Sequence, residues 1–142
     1  MYDTAKVISS MVSCIVARVG PHSDIEELAK TSTVPVINAL SDCFHPLQAV
    51  TDIMTIQEYF PTLKGLKVAW VGDANNVLYD LAIACGKLGI NVSIATPKGY
   101  DCDPDMLELA RSAGDKSGAV IQTTNVPEEA VKDAHIIVTD TW

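Results

Sequence analysis

The stretch SDCFHPLQAVTDIMT, residues 41–55, sets a histidine directly before a proline and a glutamine three positions further on. With His45 at the N-cap of a helix, Pro46 falls at the first helical position, where its missing N–H costs nothing. His45 and Gln48 then share one face of the first turn. The unpaired N–H groups and the dipole of that turn favour an anion or a developing negative charge. A histidine there can donate a hydrogen bond to an oxygen that gains charge. A glutamine can hold an amide-like group by both its donor and its acceptor. The same residues also suit a plain helix start, with His45 as cap, Gln48 in solvent, and Leu47, Val50, Ile53 and Met54 as a buried stripe. On residue chemistry alone the plain start is the simpler reading, because His-Pro-x-Gln is short.

Other positions offer polar chemistry at strand ends. Arg18 closes CIVAR, where its planar fork can grip a phosphate or carboxylate, or pair with a surface acid. Asn75 and Asn76 sit in VGDANNV, a strand-to-helix turn; one can cap the helix while the other presents an amide to a ligand. Asp140 follows the run HIIVT, where a carboxylate can bind an ammonium group or simply end a turn. Dinucleotide binding is disfavoured. Only Gly72 stands for the Gly-x-Gly-x-x-Gly turn, and the strand before TPKG ends without an acid. Cys43 and His45 are two potential metal ligands, too few for a site without partners.

The elements that must position these residues follow from apolar periodicity. Residues 3–13 read as helix and 14–19 as strand. GPHSD, 20–24, is a turn in which Ser23 or Asp24 caps the next helix. Residues 34–40 form a buried strand and 45–60 a long helix, after which Pro61 and Gly65 break the chain. From there the pattern is regular: strand 66–73, a helix over 76–89 stopped by Gly89, strand NVSIATP, helix PDMLELARSAG, strand AVIQTTN, a short helix opening on Pro127, and strand HIIVTD. This order implies a parallel sheet covered by helices on both faces. Ligands in such sheets gather beyond the carboxyl ends of the strands, which points to GDANN, TPKGY and TDTW. The fold class is therefore α/β, with two incomplete parallel-sheet domains joined by the helix 45–60. The abrupt helical start and the stop after a strand end lead us to expect an internal piece of a larger protein.

Composition narrows the function. The chain has 142 residues, of which 48% are hydrophobic, enough for a substantial core. Its formal charge of −8 and the lack of a basic stripe argue against a nucleic-acid partner. The longest apolar runs are far too short to span a bilayer, so no membrane partner is expected. No signal peptide is visible. Cys14, Cys43, Cys85 and Cys102 form no Cys-x-x-Cys pair, and we expect reduced, core-type thiols.

Taken together, DTAKVISSM (3–11), VARV (16–19), LAKTSTVPVINALSD (28–42), HPLQ (45–48), LKGLKVAWVGDANNV (63–77), ATPKGY (95–100) and TDTW (139–142) resemble the ornithine carbamoyltransferases, within the aspartate/ornithine carbamoyltransferase family. The match runs over essentially the whole chain, in the family's order, with a eukaryotic, fungal texture. His-Pro-x-Gln is shared with the aspartate enzymes, whereas Gly-Asp-x-Asn-Asn and Asp-Thr-Trp point to the ornithine branch.

The resemblance implies transfer of the carbamoyl group of carbamoyl phosphate to the δ-amine of L-ornithine, giving L-citrulline and phosphate, with no metal and no organic cofactor. Arg18, His45 and Gln48 would bind carbamoyl phosphate, His45 donating to its carbonyl oxygen and Gln48 orienting its amide. Asn76 and Asp140 would bind ornithine. Residues 1–60 would be the end of the carbamoyl phosphate domain, including the linking helix 45–60, and 61–142 the start of the ornithine domain. A homotrimer is implied for the full protein, in the mitochondrial matrix or, as in some fungal members, the cytosol. The family's Ser-Thr-Arg-Thr, Ser-Met-Gly and His-Cys-Leu-Pro loops are absent, so we expect these 142 residues alone to be inactive. A carbamoyltransferase for putrescine, acetylornithine or aspartate, and a non-catalytic binding module of the same fold, are the alternatives.

Overall fold

The structure is a computed structural model that describes residues 1–140; Thr141 and Trp142, the end of the Asp-Thr-Trp pattern, lie outside the described residues. The chain forms two compact units, Met1–Leu47 and Gln48–Trp142.

In the first unit, α1 (Tyr2–Ser9) precedes β1 (Ile15–Arg18), α2 (His22–Thr31) and β2 (Val36–Leu40). The two strands pair in parallel, Ile15 with Val36, across the α2 crossover. Ala5, Ile15, Ile25 and Leu28 form the buried interior. The helix expected over 3–13 stops at Ser9. Beyond it the Ser10 and Met11 N–H groups bond only three residues back, to the carbonyls of Val7 and Ile8, and the Ser10 hydroxyl also takes the Val7 carbonyl, the acceptor that a continuing helix would offer to Met11. The expected cap of α2 is also corrected. The helix starts at His22, before Ser23 and Asp24, and Pro21 supplies no side-chain cap. Asp42, from the loop after β2, accepts the His22 N–H at 2.8 Å instead.

Helix α3 (Pro46–Tyr59) begins directly after His45. Its expected buried stripe is wrong for three of its four members: Leu47, Val50 and Met54 are 43%, 66% and 54% exposed. The buried positions are Ala49 and Ile56, with Ile53 packed against the core. The helix carries two interleaved apolar sets, and the second unit's core takes Ile53 and Ile56.

The second unit continues with β3 (Lys67–Val71), α4 (Asn76–Leu88), β4 (Asn91–Ala95), α5 (Pro104–Ser117), β5 (Ile121–Thr124), α6 (Pro127–Val131) and β6 (Ile136–Val138). Its sheet is all parallel, in the order β5-β4-β3-β6. Helices α4 and α5 pack against each other, and α6 packs against β3 and β4; for crossovers of the usual right hand, this strand order sets α6 on the face opposite α4 and α5. Val68, Trp70, Leu78, Leu81, Ile90 and Ile94 are sealed from solvent and form the core. Gly89 ends α4 with φ 76°, as expected. Helix α5 runs three residues past its expected end at Gly114. Gly114 is a contact rather than a stop: a Cβ there would lie 2.6 Å from the Ala119 carbonyl oxygen. At Gly86 of α4 a Cβ would lie 2.9 Å from the carbonyl oxygen of Ala110, so the two helices cross with their backbones close.

The four cysteines are free thiols, but only Cys85 is core-type; Cys14 and Cys43 are exposed and Cys102 is half-buried.

Candidate functional site

In the first unit, the carboxyl ends of β1 and β2 carry Arg18 and the loop that leads to His45. The ladder is regular to Ala17–Asn38 and then shifts, pairing Arg18 with Leu40. Such a bulge re-aims the side chain that follows it. Arg18 is exposed and makes no ion pair among the described residues. The loop after β2 is closely bonded. Ser41 N–H donates to the Phe44 carbonyl at 2.8 Å, Ser41 Oγ accepts from Phe44 N–H at 3.2 Å, and Asp42 N–H donates to the Gly20 carbonyl at 2.8 Å. His45 leaves this turn half-buried, and its Nδ1 is buried with no hydrogen-bond partner.

In the second unit, Gln48 is half-buried rather than solvated, and its Nε2 donates to Asp52 Oδ1 at 2.8 Å. The sheet order makes β3 and β6 the switch point: the chain steps outward from β3 through β4 to β5, then returns to the other side of β3. Asn75 is the cap of α4, its Oδ1 accepting from the N–H groups of Val77 and Leu78 at 3.1 Å each. Its Nδ2 donates to Asp140 Oδ2 at 2.7 Å, tying the GDANN turn to the end of β6. Asn76 is the first residue of α4. The Trp70 indole braces the same turn, donating to the carbonyls of Gly72 and Asp73 at 3.3 and 3.2 Å. Ala74 N–H reaches the Tyr100 carbonyl at 3.3 Å, which joins TPKGY to this edge.

Within the second unit, the structure therefore brings together Asn75, Asn76 and Asp140, and in the first it sets Arg18 and His45 after neighbouring strands. A separate cleft of about 170 Å³ lies beyond β4 and β5, between Thr96, Asp101, Cys102 and Asn125. Its polar groups largely satisfy each other, Asn125 Nδ2 donating to the Thr96 carbonyl at 2.9 Å. Burial pushes the Cys102 thiol up, and burial, helped by the Asp52 charge, pushes Cys85 up to about 12. Among the described residues, no group of three or more His, Cys, Asp and Glu side chains could hold a metal ion, and no helix is long and apolar enough to cross a membrane. Two participants were not singled out from sequence. Asp52 was legible as an i,i+4 partner of Gln48. His22, which bonds to the loop before His45, carries no local signal.

Parallel strands with polar groups at the switch point define an α/β protein of the kind in which ligands gather beyond the carboxyl ends of the strands. The description "Aspartate/ornithine carbamoyltransferase, carbamoyl-P binding domain" matches residues 1–58, and its companion "Asp/Orn binding domain" matches 64–142. The chain belongs to the aspartate/ornithine carbamoyltransferase family. It is 62% identical to the mitochondrial ornithine carbamoyltransferase of Emericella nidulans, over all of this chain and 43% of that protein. The crystal structure of a mitochondrial ornithine carbamoyltransferase from Coccidioides immitis superposes with a TM-score of 0.94 at 61% identity, over 99% of this chain and 47% of that one. The ornithine carbamoyltransferase from Pyrococcus furiosus gives 0.97 at 50% identity, over 99% and 45%. The chain thus spans less than half the length of these relatives.

Proposed function

We propose that this chain is part of an ornithine carbamoyltransferase, an enzyme that moves the carbamoyl group of carbamoyl phosphate to the δ-amine of L-ornithine and releases citrulline and phosphate. The observation that carries the reading is the switch-point cluster, in which Asn75 and Asp140 are bonded at 2.7 Å beside Asn76, within a chain 62% identical to an enzyme of that name. In the reaction the neutral amine nitrogen forms a bond to the carbamoyl carbon, the bond from that carbon to the phosphate oxygen breaks, and one proton leaves the nitrogen. Arg18 would hold the phosphate through its fork. His45 would donate to the carbonyl oxygen as it gains charge, a contribution of about 3 kcal/mol for a donor of this kind. A buried imidazole nitrogen with no protein partner suits a group kept for ligand. Gln48 would orient the carbamoyl amide, with Asp52 holding the glutamine. Asp140 would accept from the ornithine ammonium group and Asn76 would hold the same substrate.

We place the domain boundary between residues 60 and 61; the interval between the two family matches, which end at 58 and resume at 64, supports it. The full-length protein is read as mitochondrial, after relatives that carry that name, and as a homotrimer, after the family resemblance. Cell fractionation and light scattering test these two points. For the activity, the full-length protein is assayed for product with ornithine, putrescine, acetylornithine and aspartate. Saturation by ornithine alone is expected; saturation by putrescine but not ornithine would overturn the assignment. The purified 142-residue chain is expected to form no citrulline.

A further inference from the structure

We infer that His22 is a positioning residue for the carbamoyl transfer proposed above, acting through the Ser41–Phe44 turn that sets His45. The inference rests on that functional reading.

His45 is oriented by what flanks it, because its own Nδ1 has no protein partner. On one side stands α3; on the other stands the turn 41–44. That turn is bolted to His22 in three ways. The His22 N–H donates to Asp42 Oδ1 at 2.8 Å. Its ring meets the Phe44 ring edge-on, with centroids 4.9 Å apart and planes at 64°. Its Nδ1 lies 2.9 Å from Oγ of Ser41, a residue with no exposed surface. Ser41 Oγ already accepts from the Phe44 N–H, so its own proton is the one to give. With the imidazole proton on Nε2, Nδ1 accepts from the Ser41 hydroxyl at 2.9 Å; the Phe44 carbonyl lies 3.5 Å from the same hydroxyl. Phe44, the residue before His45, is thus held at its amide, its carbonyl and its ring, and His22 contributes directly to the ring contact and through Ser41 to the others.

The test uses the full-length protein. His22→Phe keeps an aromatic ring against Phe44 and removes the acceptor. His22→Asn keeps a polar atom near the Nδ1 position. We expect His22→Phe to lower kcat by about 10- to 100-fold, the size of effect a small misplacement of a reacting group produces. The KM for ornithine should change by less than about twofold, because the lost interaction belongs to the transition state. His22→Asn should recover most of the loss. Ser41→Ala removes that bond together with the acceptor of the Phe44 N–H, so it should lower kcat at least as far, and adding His22→Phe to it should cost nothing more. The inference is overturned by wild-type kcat in His22→Phe, or by a loss that His22→Asn fails to recover while both variants melt together. If His22→Phe does not fold, Ser41→Ala decides: a matching drop in kcat supports the inference and an unchanged kcat defeats it. A wild-type protein that makes no citrulline would instead defeat the functional reading itself.

Discussion

The two units close their cores to different degrees. The second surrounds its central strand with neighbours on both sides, and Val68, Ala69 and Trp70 are fully buried. The first has only two strands, and their cross-strand pair Val16 and Ile37 is 58% and 41% exposed. A two-stranded pair needs further strands or a packed helix to stand alone, and here α1 and α2 supply only part of that cover. The lesson is that substitutions on the sheet faces should change stability strongly in the second unit and weakly at Val16 and Ile37 of the first, even though both units carry candidate site residues.

Thiol chemistry offers the largest contrast. Cys14 and Cys43, both in the first unit, are exposed, whereas Cys85 lies in the second unit's core with its pKa pushed up to about 12. Raising a thiol from 9.0 to about 12 lowers its thiolate fraction at pH 8 by about a thousandfold, before any loss of access is counted. Alkylation of the native chain followed by mass spectrometry should mark Cys14 and Cys43 first and Cys85 only on unfolding. Early labelling of Cys85 would break the contrast. The sign for stability follows: the folded value exceeds the unfolded one, so stability from a neutral Cys85 is whole below pH 9.0 and is lost as pH rises towards about 12.

Next comes Trp70→Ala, which empties the second core and also releases the indole from the Gly72 and Asp73 carbonyls. A loss of about 3–5 kcal/mol in urea unfolding is expected. Gly114→Ala drives a methyl group towards the Ala119 carbonyl and should cost about 1–3 kcal/mol by the same measurement. Asn75→Ala removes the α4 cap and should cost about 1 kcal/mol. Asn75→Asp sharpens that result, because it keeps the accepting oxygen but sets a carboxylate against Asp140. The smallest effect belongs to the first unit: Val16→Thr in the 142-residue chain should change stability by less than about 0.5 kcal/mol. A larger loss would show that this open sheet face is better packed than its exposure indicates.

Much of the second unit was legible because its signals are local. Gly89 and Pro127 mark helix boundaries through backbone properties of their own, and the alternation of strand and helix leaves few arrangements for a parallel sheet. Asp140 was legible as a strand-end carboxylate. What escaped depends on partners distant in sequence. The start of α2 is decided by Asp42, twenty residues on, so Ser23 and Asp24 looked like better caps than they are. Periodicity marked Leu47, Val50 and Met54 as apolar but could not tell which apolar face of α3 meets a core. Gly114 reads as a stop until α4 is seen crossing it. His22 looked like an ordinary turn residue, since Ser41 and Phe44 come near only once β1 and β2 pair.

The sheet order has a consequence in time. Strand β6 pairs with β3, joining Val68 to Ile136 across most of the second unit. During synthesis β3, β4 and β5 can assemble while the chain is still growing, but the edge beside β3 stays open until the residues of β6 have emerged. The bond between Asn75 and Asp140 is therefore among the last contacts this stretch of polypeptide can make, and a nascent chain acquires its frame before its switch-point site.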